Sequence, residues 1–508
     1  MKGFTRFVLV MLALAVPGWA AAEALPRPAG LEDAVGFWKR VYTGVSEDQA
    51  LIHDRRHLHR VYAVVDLPPG RSRNAGATPC RALVAAYEEA LERLAEDPSQ
   101  PASPLQQRLR KHFPEDVEPA AFRAAVEGLR LQSGLRERFR AGLERSGRWL
   151  PHVRERLRAH GVPEALAAMP HVESSFNPRA RSHAGAAGMW QFTAGTGRDY
   201  MRIDAVIDER MDPWRSWDAA ARLLADNYEK LGSWPLAVTA YNHGANGMRR
   251  ATKEMGTRRI DAIIAGYTGP YFGFASRNFY PAILAAAEVT ESAEEYFPGL
   301  EREPALRTVE IEVPDYMPAA AVADALEIDE ESLRRYNSGL SRAVWAGDKF
   351  IPAGYALRLP ADDAAGLRNA LAAVPLDQRY AEQWPDQYHR VRSGESLSVI
   401  ADRHGVPTLA LAAANGITRP DRIQIGQRLR VPMSGEPPKS LAELPVDEGG
   451  AVYTVRPGDT LAAIAGRFDL GVDDLVALND LANPDLIRPG QRLRVRVAQE
   501  PTRITGNY

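Results

Sequence analysis

The chain has one cysteine in 508 residues, Cys80, so no intrachain disulfide is available and the folded state must be held by its cores. A lone cysteine of this kind reads as a small buried hydrophobe rather than a reactive thiol. Charge of one sign is also missing: 63 Lys and Arg against 65 Asp and Glu leave a net charge of −2. That balance supplies no overall basic field for a nucleic-acid partner. The local basic runs Arg136–Arg140 and Arg154–Arg158 are interleaved with acids and apolar residues, the pattern of a solvated helix face. Nor do the histidines pair as metal ligands do. His171, His183 and His243 share no helix at ligand spacing, so neither a metal nor another cofactor is expected.

The apolar run Phe7–Val16 falls short of the roughly 20 residues that span a bilayer. Lys2 and Arg6 precede it, and the small residues of Pro17–Ala22 follow it. This is the pattern of an export signal over residues 1–22, cleaved after Ala20 or Ala22, with an uncleaved anchor as the alternative. No cysteine lies near the cleavage site to carry a lipid.

Hydrophobic residues make up 45% of the chain and charged ones 25%, the ordinary balance of folded soluble protein. The length implies several domains. Residues 23–160 read as a helical N-terminal subdomain: Leu31, Val35, Trp38 and Val41 recur at helical spacing, as do apolar residues in Ala82–Leu94 and Pro119–Leu131. The stretch Pro68–Gly76 interrupts it with loop chemistry. Residues 161–295 are also helical. Pro163–Met169 opens a helix, Trp217–Leu231 is amphipathic with Gly232 as its stop, Pro235–Tyr241 starts another, and Tyr280–Val289 is a packed alanine-rich helix. The fold class is therefore mainly α.

A repeat then appears. Tyr388–Leu397 echoes Tyr453–Leu461, each is followed by Ile-Ala (Ile400, Ile464), each reaches an asparagine (Asn415, Asn479), and each closes on Ile-x-x-Gly-Gln-x-Leu-x-Val (Ile423–Val431, Ile487–Val495). Alternating ends around two short helical stretches predict strand–helix–helix–strand over 387–432 and 452–496, joined by a tether at 433–451. A worn third copy is expected at 305–362, with Asn337 in the middle position and Pro314-Asp-Tyr316 in place of the Gly-Asp/Glu-Ser/Thr turn. Its fold is expected to be kept more than its ligand site.

Three strings carry candidate chemistry: Pro170–Pro178 around Glu173, Gly185–Gln191, and Ala240–Gly244. Cleaving a glycosidic bond needs an acid on the leaving oxygen, and apolar surroundings raise a carboxyl's pKa enough for that role. Met189, Trp190 and Phe192 are candidates for such a wall, or else simple core. The two-carboxylate scheme needs a second acid, and the later two strings contain none.

The string Glu173–Ser182 followed by Gly185–Gln191 resembles the lysozyme-like catalytic domain of soluble lytic transglycosylases, in the branch with C-terminal LysM modules; the two repeats resemble LysM modules. The resemblance implies a lysozyme-like α-helical catalytic domain behind the helical extension, followed by small βααβ modules. It implies an enzyme, a carbon–oxygen lyase that acts on peptidoglycan glycan strands. In such enzymes the N-acetyl group of MurNAc is the internal nucleophile and the product carries a 1,6-anhydro ring, which accounts for the missing second acid. Glu173 matches the catalytic acid, Ser182 the serine near the N-acetyl group, Gln191 and Asn242 the sugar-holding amides, and Tyr241 a groove aromatic, with Met189 on the groove floor. For Tyr241 and Asn242 the alternative is core packing plus a turn. The family often has a tyrosine where this chain has Phe279, so either Tyr280 takes its place through a shifted register, as is expected, or a hydroxyl is missing there.

In the modules the resemblance places glycan contacts at Gly394, Glu395, Ser396, Leu397 and Gly426, and at Gly458, Asp459, Thr460, Leu461 and Gly490. The alternative is modules used only for protein contacts. Expected partners are peptidoglycan strands, with outer-membrane or wall-synthesis proteins as further candidates. No nucleic acid is expected, and a monomer is. The expected location is the periplasm, at the wall. The rival functions are a muramidase that uses water, for which Asp204, Asp208 and Asp212 are available acids, and a non-catalytic wall-binding scaffold.

Overall fold

A computed structural model describes residues 25–68, 78–182, 184–360, 364–417, 423–432, 438–442, 452–455, 459–468, 470–479, 481, 487–488 and 491–495. The signal-like segment 1–22, His183, Gly458, Gly490, most of the 68–76 loop and most of the 433–451 tether lie outside them. Among the described residues, no helix is long and apolar enough to cross a membrane. The chain forms two bodies, one of residues up to Phe176 with Trp217–Glu303, the other of Asn177–Ser216 with everything from Pro304.

In the first body the helix Glu32–Thr43 buries Val35, Phe37, Val41 and Tyr42, as its periodicity predicts. The expectation of an all-helical region before residue 160 is corrected. Strands Gln49–Asp54, Val61–Asp66 and Leu129–Ser133 form an antiparallel sheet with the first in the centre. The central strand is buried at all but its first position. A short strand with only Ala50–Ile52 apolar and both faces buried has no alternation to read, and periodicity alone does not separate it from a buried helix. The helix from Pro119 ends at Gly128, where the strand begins. A Cβ at Gly128 would lie 2.9 Å from Asp54 Oδ1, so the chain needs glycine at this close approach. Cys80 is fully buried in the cluster this sheet shares with Leu91 and Phe122.

The helix Phe274–Glu291 is buried on most of its circumference and packs against the helices Glu32–Thr43, Trp234–His243 and Met169–Glu173. The last of these is short and presents Glu173 at its C-terminal end.

The second body contains three small strand–helix–helix–strand units. Strands Gln387–Arg390 and Arg428–Val431 pair antiparallel, as do Val452–Thr454 and Arg492–Arg494, and Val309–Glu312 and Ala356–Leu359. The repeated asparagine has the same task in each. Asn415 donates to Leu411 O and Arg430 O and accepts from Arg430 N–H. Asn479 does so with Leu475 and Arg494, and Asn337 with Leu333 and Arg358. One amide thus ties the end of the second helix to the last strand, using donors and acceptor together. The unit over Val309–Leu359 uses the same device as the other two.

This third unit differs in its surroundings. Its two loops are joined to each other by the Met317–Ile351 bridge, and Tyr316 pairs with Tyr380 from the following segment. Arg379 is 1% exposed and ion-pairs with Asp315, the residue standing where the other copies carry their turn. The module also packs on Asn177–Ser216: Ser341 N–H donates to Val206 O at 2.8 Å, Asp208 N–H to Gly339 O at 2.8 Å, and Val206 and Ile207 join the module's core.

Candidate active site

Glu173 is the last residue of the helix Met169–Glu173, whose other side is buried through Met169, Pro170 and His171. His171 stacks on Phe139 at 4.8 Å and meets Phe176 edge-on at 4.5 Å, so it is a packing ring here. Burial holds its pKa down to about 3, and it is neutral at any working pH. Directly after the acid the chain reverses through Ser175 and Phe176, both left-handed at φ 55° and 57°. Successive non-glycine residues in that region carry strain that the surroundings must offset. Arg145 does so by donating to Ser175 O at 2.7 and 3.2 Å.

The Glu173 carboxyl is half-buried, yet burial pushes its pKa up to about 8, and no other influence contributes. Protein fills most of the space around the carboxyl, while part of the residue still meets solvent. Among the described residues no cation forms an ion pair with it. Its charge reaches the half-buried Tyr241 phenol, whose pKa is raised by burial first and by Glu173 second. Asn242, next in sequence, is exposed and accepts a hydrogen bond from Ser276 Oγ at 2.8 Å. Glu173, Tyr241 and Asn242 are therefore grouped in the first body.

Tyr280 is a correction. It is fully buried and its hydroxyl donates to Pro26 O, so it braces the N-terminal segment. Phe279 instead stacks parallel to Tyr241, centroids 6.2 Å apart. Successive helical residues point about 100° apart, so only one of the two can face that ring. Tyr280→Phe is thus expected to leave turnover within about two-fold while lowering stability by about 1 kcal/mol, the usual net worth of a hydrogen bond. Turnover and thermal melts check this; a tenfold fall in kcat at unchanged Tm would return Tyr280 to the site.

Ser182, Met189 and Gln191 share one loop of the second body. Ser182 Oγ accepts from Ala186 N–H at 3.0 Å, closing a turn, and remains exposed. Gln191 sits at φ 49° and donates to Gly188 O at 2.8 Å. Met189 and Trp190 are 1% and 0% exposed, so Met189 belongs to the loop's packing and leaves the set of direct substrate contacts.

Arg210 is the residue that motif reading missed. It is 6% exposed, grips Asp208 through Nε and Nη2 at 2.8 and 2.9 Å, and donates from Nη1 to Gly185 O and Phe192 O. It therefore ties down both ends of the Gly185–Phe192 loop. The available signal is weak: an arginine two residues after Asp208, in a segment that carries no motif.

The three spare aspartates are committed to local structure. Asp208 holds Arg210; Asp204 accepts from Val206 N–H and Ile207 N–H; Asp212 accepts from Trp214 N–H and Arg215 N–H at the start of the helix Pro213–Leu231.

In the LysM-like repeats, Ser396 and Thr460 cap their first helices by accepting from Val399 N–H and Ala463 N–H. This explains the Ser/Thr at that position without any ligand. Leu397 and Leu461 are core residues at 1% and 5% exposure, so they are corrected from contacts to packing. Gly394 and Gly426 adopt φ 82° and 83°, a backbone that needs glycine. Glu395 is tied to His389, and Asp459 accepts from Tyr453 OH.

The transglycosylase SLT domain family matches residues 153–264, and the LysM domain family matches 389–432 and 453–496. The membrane-bound lytic murein transglycosylase D of Escherichia coli K12 is 30% identical over 356 residues, covering 67% of this chain and 74% of that protein. The N-acetylmuramoyl-L-alanine amidase sle1 of Staphylococcus epidermidis is 36% identical over 107 residues, 21% of this chain and 31% of its own. Among solved structures, an inactive mutant of the lytic transglycosylase Slt from Pseudomonas aeruginosa aligns with 20% identity and a TM-score of 0.25, covering 30% of this chain and 25% of that one.

Proposed function

Because this chain belongs to the lytic murein transglycosylases and carries two LysM domains, we propose that Glu173 is the acid, and then the base, of its reaction. The protein is a peptidoglycan lytic transglycosylase whose LysM modules bring it to the wall. The observation that carries the assignment is the Glu173 carboxyl, held protonated near neutral pH by burial at the end of its helix.

Protonated Glu173 gives its proton to the oxygen between MurNAc and GlcNAc. The MurNAc N-acetyl oxygen forms a bond to C1 as that oxygen leaves, the substrate-assisted route outside the two-carboxylate rule. The Glu173 carboxylate then takes the proton of the C6 hydroxyl, and O6 displaces the N-acetyl oxygen from C1. The product is 1,6-anhydro-MurNAc, no water is consumed, and Glu173 regains its proton. Ser182 serves the N-acetyl group, Gln191 and Asn242 hold the sugar, and Tyr241 packs at the groove. The engagement of Asp204, Asp208 and Asp212 elsewhere supports this route over a hydrolase with a second carboxylate.

The LysM turns bind GlcNAc through backbone groups. Weak grooves joined on one chain act together by effective concentration. The export pattern over residues 1–22 and the wall substrate support a periplasmic enzyme.

Mass spectrometry of the soluble products from purified sacculi tests the reading. Anhydro-MurNAc ends are expected. Reducing MurNAc ends would assign a hydrolase, and no products from folded, sacculus-bound protein would assign a scaffold.

A further inference from the structure

The two LysM modules differ at the root of their ligand turns. In the second, Tyr453 OH donates to Asp459 Oδ2 at 2.8 Å, and Phe468 meets Tyr453 edge-on at 5.4 Å. In the first, the same three places hold His389, Glu395 and His404. His389 Nε2 lies 2.7 Å from Glu395 Oε2, His404 Nε2 lies 3.1 Å from His389 Nδ1, and the rings meet edge-on at 5.2 Å. The architecture is shared, but two groups that cannot titrate near neutrality are replaced by two that can.

The hydrogen bonds define the state that fits. His404 Nε2–H donates to His389 Nδ1, and His389 Nε2–H donates to Glu395. Glu395 Oε2 also accepts from Arg392 N–H at 2.8 Å, and Oε1 accepts from Arg403. The Glu395 side chain is 8% exposed and is the post from which the Arg392–Ser396 turn hangs. Bonding to His389, then to Arg392 N–H, holds its carboxyl at about 2, so it stays ionised and accepts from the imidazole. The relay accommodates one added proton, with His389 donating from both nitrogens and His404 turning acceptor. A second proton sets N–H against N–H.

Among the described residues Glu395 is the group that relieves this, and it is outweighed. Arg403 on the same helix repels a charged His404, and burial, His389 and Arg403 together keep the His404 pKa below its ordinary value against the opposing pull of Glu395. The helix Thr408–Ala414 carries no titratable residue, while on the last strand Arg428 lies over Tyr388 and Arg430 turns to Asp386. Among the described residues there is no cluster of three His, Cys, Asp or Glu able to hold a metal ion.

We propose that His389 and His404 are positioning residues of the first glycan groove, making this module a proton-sensitive reader of peptidoglycan while the second reads it independently of pH. The inference rests on the reading that the LysM turns bind glycan. A group whose folded pKa is depressed supports the fold fully above its unfolded pKa, about 6.5 for histidine, and that support is lost as pH falls through the folded value.

The full chain carrying Glu173→Gln, which binds without digesting, is pelleted with purified sacculi from pH 7.5 to 5.0. Affinity is expected to fall about 3- to 10-fold on acidification, the usual net worth of one hydrogen bond of the relay. His389→Tyr with His404→Phe, the second module's residues, is expected to keep binding at pH 7.5 and to flatten the profile. His404→Phe alone retains the His389–Glu395 bond and is expected to flatten it too, which keeps the test open if the double variant folds poorly. A pH-independent parent, or a fall unchanged in His404→Phe, would overturn the proposal. Absence of sacculus binding at every pH would overturn the glycan-binding reading along with it.

Discussion

Glu173→Gln is expected to lower kcat for release of anhydro-MurNAc products by about 10²- to 10⁴-fold, the usual worth of a positioned general acid. Glutamine keeps the shape of the side chain but holds no transferable proton for the leaving oxygen. The same residue sets the pH profile. With a pKa raised to about 8 by burial alone, the carboxyl is protonated below that value and lost as an acid above it. The kcat/KM profile is therefore expected to fall on the alkaline side, near pH 8, and the fall should be traceable to Glu173.

Stability should move the same way. A carboxyl whose folded pKa lies above its unfolded value of about 4.3 binds more protons when folded. Its contribution is complete below the unfolded pKa and is lost as pH rises through about 8. Thermal melts at pH 5 and pH 8.5 should show Glu173→Gln gaining on the parent at the higher pH. Equal pH slopes in parent and variant would mean that the carboxyl is ordinary and the acid lies elsewhere.

Gly188→Ala is the second large effect. Gly188 adopts φ 78°, and a Cβ there would lie 1.6 Å from Arg210 O, a backbone atom without freedom to yield. The left-handed conformation and the clash together are expected to cost about 3–5 kcal/mol, in the range reserved for strained positions. Arg210→Lys should cost about as much, because an ammonium cannot reproduce the fork on Asp208 together with the two carbonyl contacts. Both variants should lose turnover while pelleting with sacculi as the parent does, since the LysM modules have separate cores. Retained turnover and an unchanged Tm in Gly188→Ala would show that the loop is not held as described.

The recognisable parts of this molecule are short-range. The Glu173 string, the helix caps Ser396 and Thr460, and the asparagine four residues after a core leucine are set by neighbours in sequence and show in its pattern. The central strand Gln49–Asp54 did not show, because burial on both faces removes the alternation that marks a strand. Leu397 and Leu461 lie in motifs that resemble a binding site, but their burial makes them core.

The sequence by itself offered, through its resemblance to a family, the class of chemistry and the residue for its acid, and it showed the two-fold repeat with a worn third copy expected before it. The repeat depends on residue types at fixed spacings. The tertiary structure decided which of Phe279 and Tyr280 faces Tyr241, because a rotation of about 100° follows from how the whole helix packs. It decided the place of Arg210, whose partners lie up to 25 residues away. It also decided that the spare aspartates are structural and that the third module's loops close on each other, with Arg379 seated on Asp315. For the Phe279/Tyr280 choice, Arg210 and the third module, the deciding energy is a contact between distant parts of the chain, which no local pattern encodes; the aspartates bond within two or three residues, and there the structure showed which neighbours they hold.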